Sequence, residues 1–148
     1  MRKLLLAVLV LFLLFGMTAG VRAQESDRVS LDIQVVYASS GKKYVDPTLK
    51  SLSDKLKSLF NYSSFEIIER KDGAAGKGET RSFDLPGGRE MFVTPVDIGK
   101  EKVRLKVRIR GKGEDLVKTT LSMERSAIVM VGGPEYREGV LIILISAD

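Results

Sequence analysis

Residues 102–112 read KVRLKVRIRGK, and the rest of the chain is best read outward from them. Val103, Leu105, Val107 and Ile109 alternate strictly with Lys102, Arg104, Lys106, Arg108 and Arg110. Strand side chains point to opposite faces with a period of two, so the pattern predicts a half-buried strand. One face of that strand is aliphatic, and the other carries five positive charges in a row.

On either side of it the chain keeps a β character. Residues 116–123, 128–131 and 140–145 are further apolar-rich runs, the last an unbroken VLIILI. An unbroken apolar run predicts a central strand covered on both faces. Upstream, residues 82–85 and 91–98 are separated by the turn signal Pro86-Gly87-Gly88. Strands joined by such short turns predict an antiparallel meander.

The N-terminal half opens differently. Val29, Leu31, Ile33, Val35 and Tyr37 alternate with polar or small residues as a first strand, closed by Ser39-Ser40-Gly41. Asp46-Pro47 is a helix start, with Asp as N-cap and Pro at the first helical position. Leu49, Leu52, Leu56, Leu59 and Phe60 then form one apolar stripe, and Asn61 is a stop. Residues 65–69 (FEIIE) read as a second strand, and residues 70–81 (RKDGAAGKGETR) as a mobile glycine-rich loop. The expected fold class is therefore α+β: a β-α-β opening followed by an antiparallel β-meander, with one helix packed on the sheet. A β-sandwich with a peripheral helix is the alternative.

Apolar faces of neighbouring strands must coincide, which sets expected registers. On one side of the basic strand, Val103 pairs with Met123, Leu105 with Leu121 and Ile109 with Val117, setting Arg108 opposite Lys118 and Lys102 opposite Glu124. On the other side, pairing Ile98 with Val103 and Phe92 with Ile109 sets Asp97 opposite Arg104. The same reasoning puts Met91, Val93, Val129 and Val131 on the basic side, as apolar margins of a charged centre.

Residues 1–23 have the composition of a targeting segment. Arg2 and Lys3 precede an apolar run, LLLAVLVLFLLF, and Val21-Arg22-Ala23 is a plausible cleavage site. The run is short of the roughly 20 residues of a membrane span, so a cleaved signal peptide is expected, with an uncleaved anchor as the alternative. Residues 24–148 then make one domain, periplasmic or secreted, with no membrane span of its own. Of 24 basic residues in the whole chain, Arg2, Lys3 and Arg22 leave with the signal, so 21 face 19 acidic ones, a near-neutral +2. Positive charge is local to the 102–112 region, and overall charge makes no case for nucleic acid.

The chain has no histidine and no cysteine. Ser-His-Asp triads, thiol nucleophiles, His-containing metal sites and a lipidated N-terminal Cys are thereby excluded. Carboxylate chemistry would have to use Asp32, Asp46, Asp84 or Asp97, none of them placed by a motif. Residues 73–80 (GAAGKGET) fail as a phosphate loop, because position 71 is Lys and Lys77 is followed by Gly78. Asn61-Tyr62-Ser63 matches a glycosylation sequon, for which the helix end is a sufficient explanation. The expectation is a non-enzyme without cofactor or metal, with a carboxylate-based hydrolase as the alternative.

Thr119-Thr120-Leu121-Ser122-Met123, a turn, then Val129-Met130-Val131-Gly132-Gly133 resembles the β-hairpin of the secretin family of outer-membrane channels. Arg125-Ser126 stands where that family has Asp-Gly, and Pro134 where it has Leu. The resemblance covers about a tenth of the chain and implies an envelope setting rather than a channel.

The candidate site is the basic face itself: Lys102, Arg104, Lys106, Arg108, Arg110 and Lys118. Charges on one strand face lie about 6.7 Å apart. Each adjacent pair repels by about 0.6 kcal/mol in water, roughly 2–3 kcal/mol over four intervals before salt screening. The plain explanation is a solvated face or the charged guard of an edge strand. The functional one is a surface for an anionic envelope polymer, lipid or envelope partner protein, or alternatively for an anionic small molecule or glycan.

Overall fold

The computed structural model describes residues 28–148. The proposed signal segment lies outside the described residues. Nine strands form two sheets: β1 (Arg28–Ser39), β2 (Tyr44–Val45), β3 (Ser64–Gly76), β4 (Arg81–Leu85), β5 (Arg89–Ile98), β6 (Lys102–Gly111), β7 (Glu114–Glu124), β8 (Ile128–Tyr136) and β9 (Gly139–Ala147). A 3-10 turn, Pro47–Leu52, leads into the short helix α1, Ser53–Leu59. One sheet has the order β2-β3-β1-β9-β8 and the other the order β4-β5-β6-β7. All pairings are antiparallel except that of β2 with β3.

The single sheet of the first expectation is thus two, as in the β-sandwich alternative, because β8 and β9 do not continue the meander. After β7 the chain turns at Ser126, whose φ is 63°, and β9 pairs with β1 instead. The segment from Thr119 to Gly133 is therefore shared between the two sheets, β7 pairing with β6 and β8 with β9. The two sheets pack face to face around one core. Val29, Leu31, Ile33, Ile143 and Ile145 from the first meet Met91, Val93, Val103, Leu105, Val107 and Ile109 from the second. The opening is not the expected β-α-β unit: β2 comes between β1 and the helix, and β1 and β3 lie side by side antiparallel.

A second, smaller cluster lies on the other side of the five-stranded sheet, where Leu49 and Leu56 cover Val36, Ala38, Phe65, Ile142 and Leu144. Asp46 starts this cover as expected. Its carboxylate accepts from the Thr48 hydroxyl at 2.7 Å and the Thr48 N–H at 3.0 Å, with Pro47 next in the chain. The Thr48 hydroxyl, then its N–H, hold the Asp46 carboxyl below the usual carboxylate range. Leu59 departs from the expected stripe and is 59% exposed. In the 3-10 turn residues three apart share a face, so Leu49 and Leu52 point inward together, and the inward positions then run through Leu56 to Phe60, leaving Leu59 outside.

Residues 70–76 are not loop but the second half of β3, paired with β1 from Arg70 opposite Gln34 to Gly76 opposite Arg28. Their small side chains serve packing between the sheets. A Cβ on Gly73 would meet the Arg81 Nε at 3.0 Å and two ring carbons of Phe83 at an ordinary contact distance of 3.4 Å, and Ala75 is fully buried. The small residues here belong to a packed strand, not to a mobile loop. The true turn is short, and Glu79 closes it by accepting from the Gly76 N–H and from Arg28 at 2.9 Å. Those two contacts, the Gly76 bond first, hold the Glu79 carboxyl below its ordinary range.

Candidate functional site

The basic face is built by β6 and its two partners. Between β6 and β7 the observed register is the expected one, with Val103 opposite Met123, Leu105 opposite Leu121, Ile109 opposite Val117 and Lys102 opposite Glu124. Arg108 faces Lys118, so all six predicted cations share the outer surface of the four-stranded sheet. Beneath them Val103, Leu105, Val107 and Ile109 are fully buried, which fixes the strand and therefore the direction of every cation. Lys112 and Gly113, both with positive φ, make the tight turn that carries β6 into β7.

On the β5 side the register needs correction. Ile98 does pair with Val103 and Asp97 with Arg104, but Met91 pairs with Ile109 and Phe92 with Arg108. A bulge between Pro95 and Asp97 accounts for the slip. Val96 is the extra residue, following a proline that cannot donate to the ladder. Met91 and Val93 consequently point into the core and are fully buried, while Val129 and Val131 pack against the same core from the other sheet. The expected apolar margins of the basic face do not exist. The bulge brings out Phe92 instead, with the Arg108 guanidinium 5.0 Å from its ring centroid, a cation–π contact.

A second bulge shapes the far end. Ile109 faces Val117, but Arg110 faces Asp115, so Leu116 is the extra residue of β7. Asp115 thereby reaches the basic row, 3.2 Å from Arg110 Nε and 3.7 Å from Arg108 Nε. Arg110 also donates to the Gly113 carbonyl at 3.1 Å. This end is partly neutralised. Towards the other end, Asp97 and Glu124 lie in register with Arg104 and Lys102, yet neither forms an ion pair within 4 Å among the described residues. Lys106 is flanked by Thr94 and Thr120, and Arg104 by Ser122 on its β7 side.

Arg104, Lys106 and Lys118 thus form an exposed cationic centre bordered by hydroxyls. A recess of about 110 Å³ lies beside it, lined by Thr80, Phe92, Thr94, Lys106 and Arg108. Such a surface suits oxyanions presented by an extended or flat partner, since it offers hydrogen-bond donors in a row and no enclosing walls. Phe92, Thr94, Asp115, Thr120 and Ser122 were not among the predicted residues. Strand alternation reaches Thr120 and Ser122 directly, but bulges hide the placement of Phe92, Thr94 and Asp115.

The four candidate carboxylates lie apart from this face or on its margins. Asp46 caps the 3-10 turn, and Asp97 faces Arg104. Asp32 is opposite Asp72 and Asp84 opposite Glu90, two cross-strand pairs that sequence alone does not show. Asp32 lines a recess of about 170 Å³ to which Asp72 does not contribute. No group of three or more acidic residues able to hold a metal ion occurs among the described residues. No protein-family model, curated protein or solved structure matches the chain.

Proposed function

We propose that this chain is a non-enzymatic exported accessory domain, periplasmic or secreted, that docks onto an anionic component of the cell envelope through the outer face of its four-stranded sheet. The observation that carries this reading is the position of β6 inside that sheet, between β5 and β7. Charges on an edge strand guard against strand addition, but β6 has both edges paired and needs no such guard. Its cations still repel one another by roughly 2–3 kcal/mol before screening. Among the described residues close ion pairs form only at the Arg108–Arg110 end of the row, Asp97 and Glu124 lying opposite Arg104 and Lys102 without one. A bound polyanion would supply the missing counter-charge. The targeting composition of residues 1–23 supports an envelope setting, whereas the secretin-like run from Thr119 to Gly133 does so in sequence alone, since β7 and β8 do not pair as a hairpin.

The test is binding to phosphatidylglycerol vesicles and to lipopolysaccharide over a range of salt. Each Lys or Arg near an anionic surface is worth about 1 kcal/mol. Arg104→Glu with Lys106→Glu, the two central cations of β6, is expected to weaken binding about 30-fold or more. Unchanged binding by this double variant would refute the docking surface. The recess beside Lys106 and Arg108 supports a second reading, a site for a small anion or glycan, which would give saturable binding to the free ligand without vesicles.

A further inference from the structure

The four-stranded sheet is bare on its outer side, but the other sheet carries α1 there, and a recess lies where β2, α1 and the start of β3 meet. It has a volume of about 440 Å³ and is lined by Lys43, Tyr44, Val45, Lys57, Tyr62 and Ser63. Pockets that hold small molecules begin at about 300 Å³. Its walls are tied in place from several directions. The Tyr44 N–H donates to the Ser63 carbonyl at 3.2 Å, and the Ser63 N–H to that of Ser39 at 3.1 Å. The Ser63 hydroxyl donates to the Lys42 carbonyl at 3.1 Å, and the Tyr62 N–H to Phe60 at 2.8 Å.

The lining has a definite chemistry. Two phenol rings line it, Tyr44 exposed and Tyr62 packed in part against the smaller core, two lysines bring positive charge, and no carboxylate contributes. Neither Lys43 nor Lys57 has an ion-pair partner among the described residues. Tyr44 is 46% exposed, an aromatic surface left out of both cores. A purely apolar ligand would strip water from both lysines without compensation, and a bare inorganic anion would leave the rings unused. A ring of C–H faces and hydroxyls that bears one negative group satisfies all four side chains.

We infer that this recess is a binding site for a hexose-sized acidic sugar, its ring against Tyr44 and Tyr62 and its carboxylate or phosphate between Lys43 and Lys57. The site is separate from the basic face, on the outer side of the opposite sheet, and stands or falls independently of it.

The test is a titration of the isotope-labelled protein followed by amide chemical shifts, using glucuronate, glucose 6-phosphate, glucose and benzoate as probes. Shifts are expected at Tyr44, Val45, Tyr62 and Ser63 with either acidic sugar, and the tighter of the two identifies the natural charge carrier. Glucose is expected to bind at least about tenfold more weakly, and Lys43→Glu with Lys57→Glu to weaken the acidic sugar by about tenfold or more. Tyr44→Ala, at an exposed position that leaves both cores intact, should weaken both sugars. Lys106→Glu, on the far face, should change nothing. The inference is overturned if glucose binds as tightly as glucuronate, if benzoate binds more tightly than either sugar, or if no shifts appear in these four residues.

Discussion

Strands β6 and β9 are both interior strands packed on the same core, and they solve the problem of the second face in opposite ways. In β9 the run Leu141, Ile142, Ile143, Leu144 and Ile145 is buried throughout, because the core takes one side and the Leu49–Leu56 cover takes the other. In β6 only every second residue is buried, and the alternate positions are cations. A neutral polar face would have served a solvated sheet equally well. The contrast leaves β6 with an uncovered cationic face, the surface on which the proposed docking rests.

Stability should expose that contrast most strongly. Ile142→Ala and Ile143→Ala are neighbours on opposite faces, and each is expected to cost about 2–5 kcal/mol in denaturant unfolding. In β6, Leu105→Ala should cost a similar amount, whereas Lys106→Ala should stay within about 0.5 kcal/mol. A large loss for Lys106→Ala would mean that the outer face is structural and would break the comparison.

The helical cover offers a smaller effect with a definite pH dependence. The Asp46 carboxyl titrates below its ordinary range in the folded chain, so the unfolded chain takes up its proton first as pH falls. The stabilisation is present above the ordinary carboxylate pKa and is lost as pH drops through the lowered folded value. Asp46→Asn keeps a capping side chain but removes the titration. Acid unfolding curves of the two proteins should converge at low pH and separate above it. Parallel curves would show that the Thr48 contacts do not tune this group.

Smallest is the self-repulsion of the cations. Between about 0.01 and 1 M salt the screening length falls from about 30 Å to about 3 Å. The parent chain should gain stability relative to Lys106→Thr over that range, by a fraction of a kcal/mol, read from the melting temperature in paired salt series. No difference would show that the row is already neutralised.

Legibility in the sequence followed the physics of alternation. The register of β6 with β7 could be read across Val103, Leu105 and Ile109 because each has one apolar partner opposite. The same reasoning failed on β5, where Val96 adds a residue and the face of Phe92 is exchanged with that of Met91. A bulge leaves little trace in a sequence beyond, here, Pro95. Residues 70–76 read as a loop because glycine and alanine suit a turn and equally a strand packed beneath Phe83. The division into two sheets was hidden for a related reason. An antiparallel strand such as β8 carries the same pattern whether its partner is β7 or β9, and only the pairing of β9 with β1 distinguishes them. The six cations were found because one strand carried most of them. The Lys43–Lys57 recess was not, since its walls come from separate elements.

The most direct test compares two double charge reversals of equal net charge in cosedimentation with phosphatidylglycerol vesicles at low and moderate salt. Arg104→Glu with Lys106→Glu alters the bare face of β6. Lys50→Glu with Lys55→Glu alters the exposed side of the helical cover. The first pair is expected to weaken binding about 30-fold or more and to flatten its salt dependence, while the second stays within about threefold of the parent. Equal losses from both pairs, or no loss from the first, would contradict docking through the β6 face.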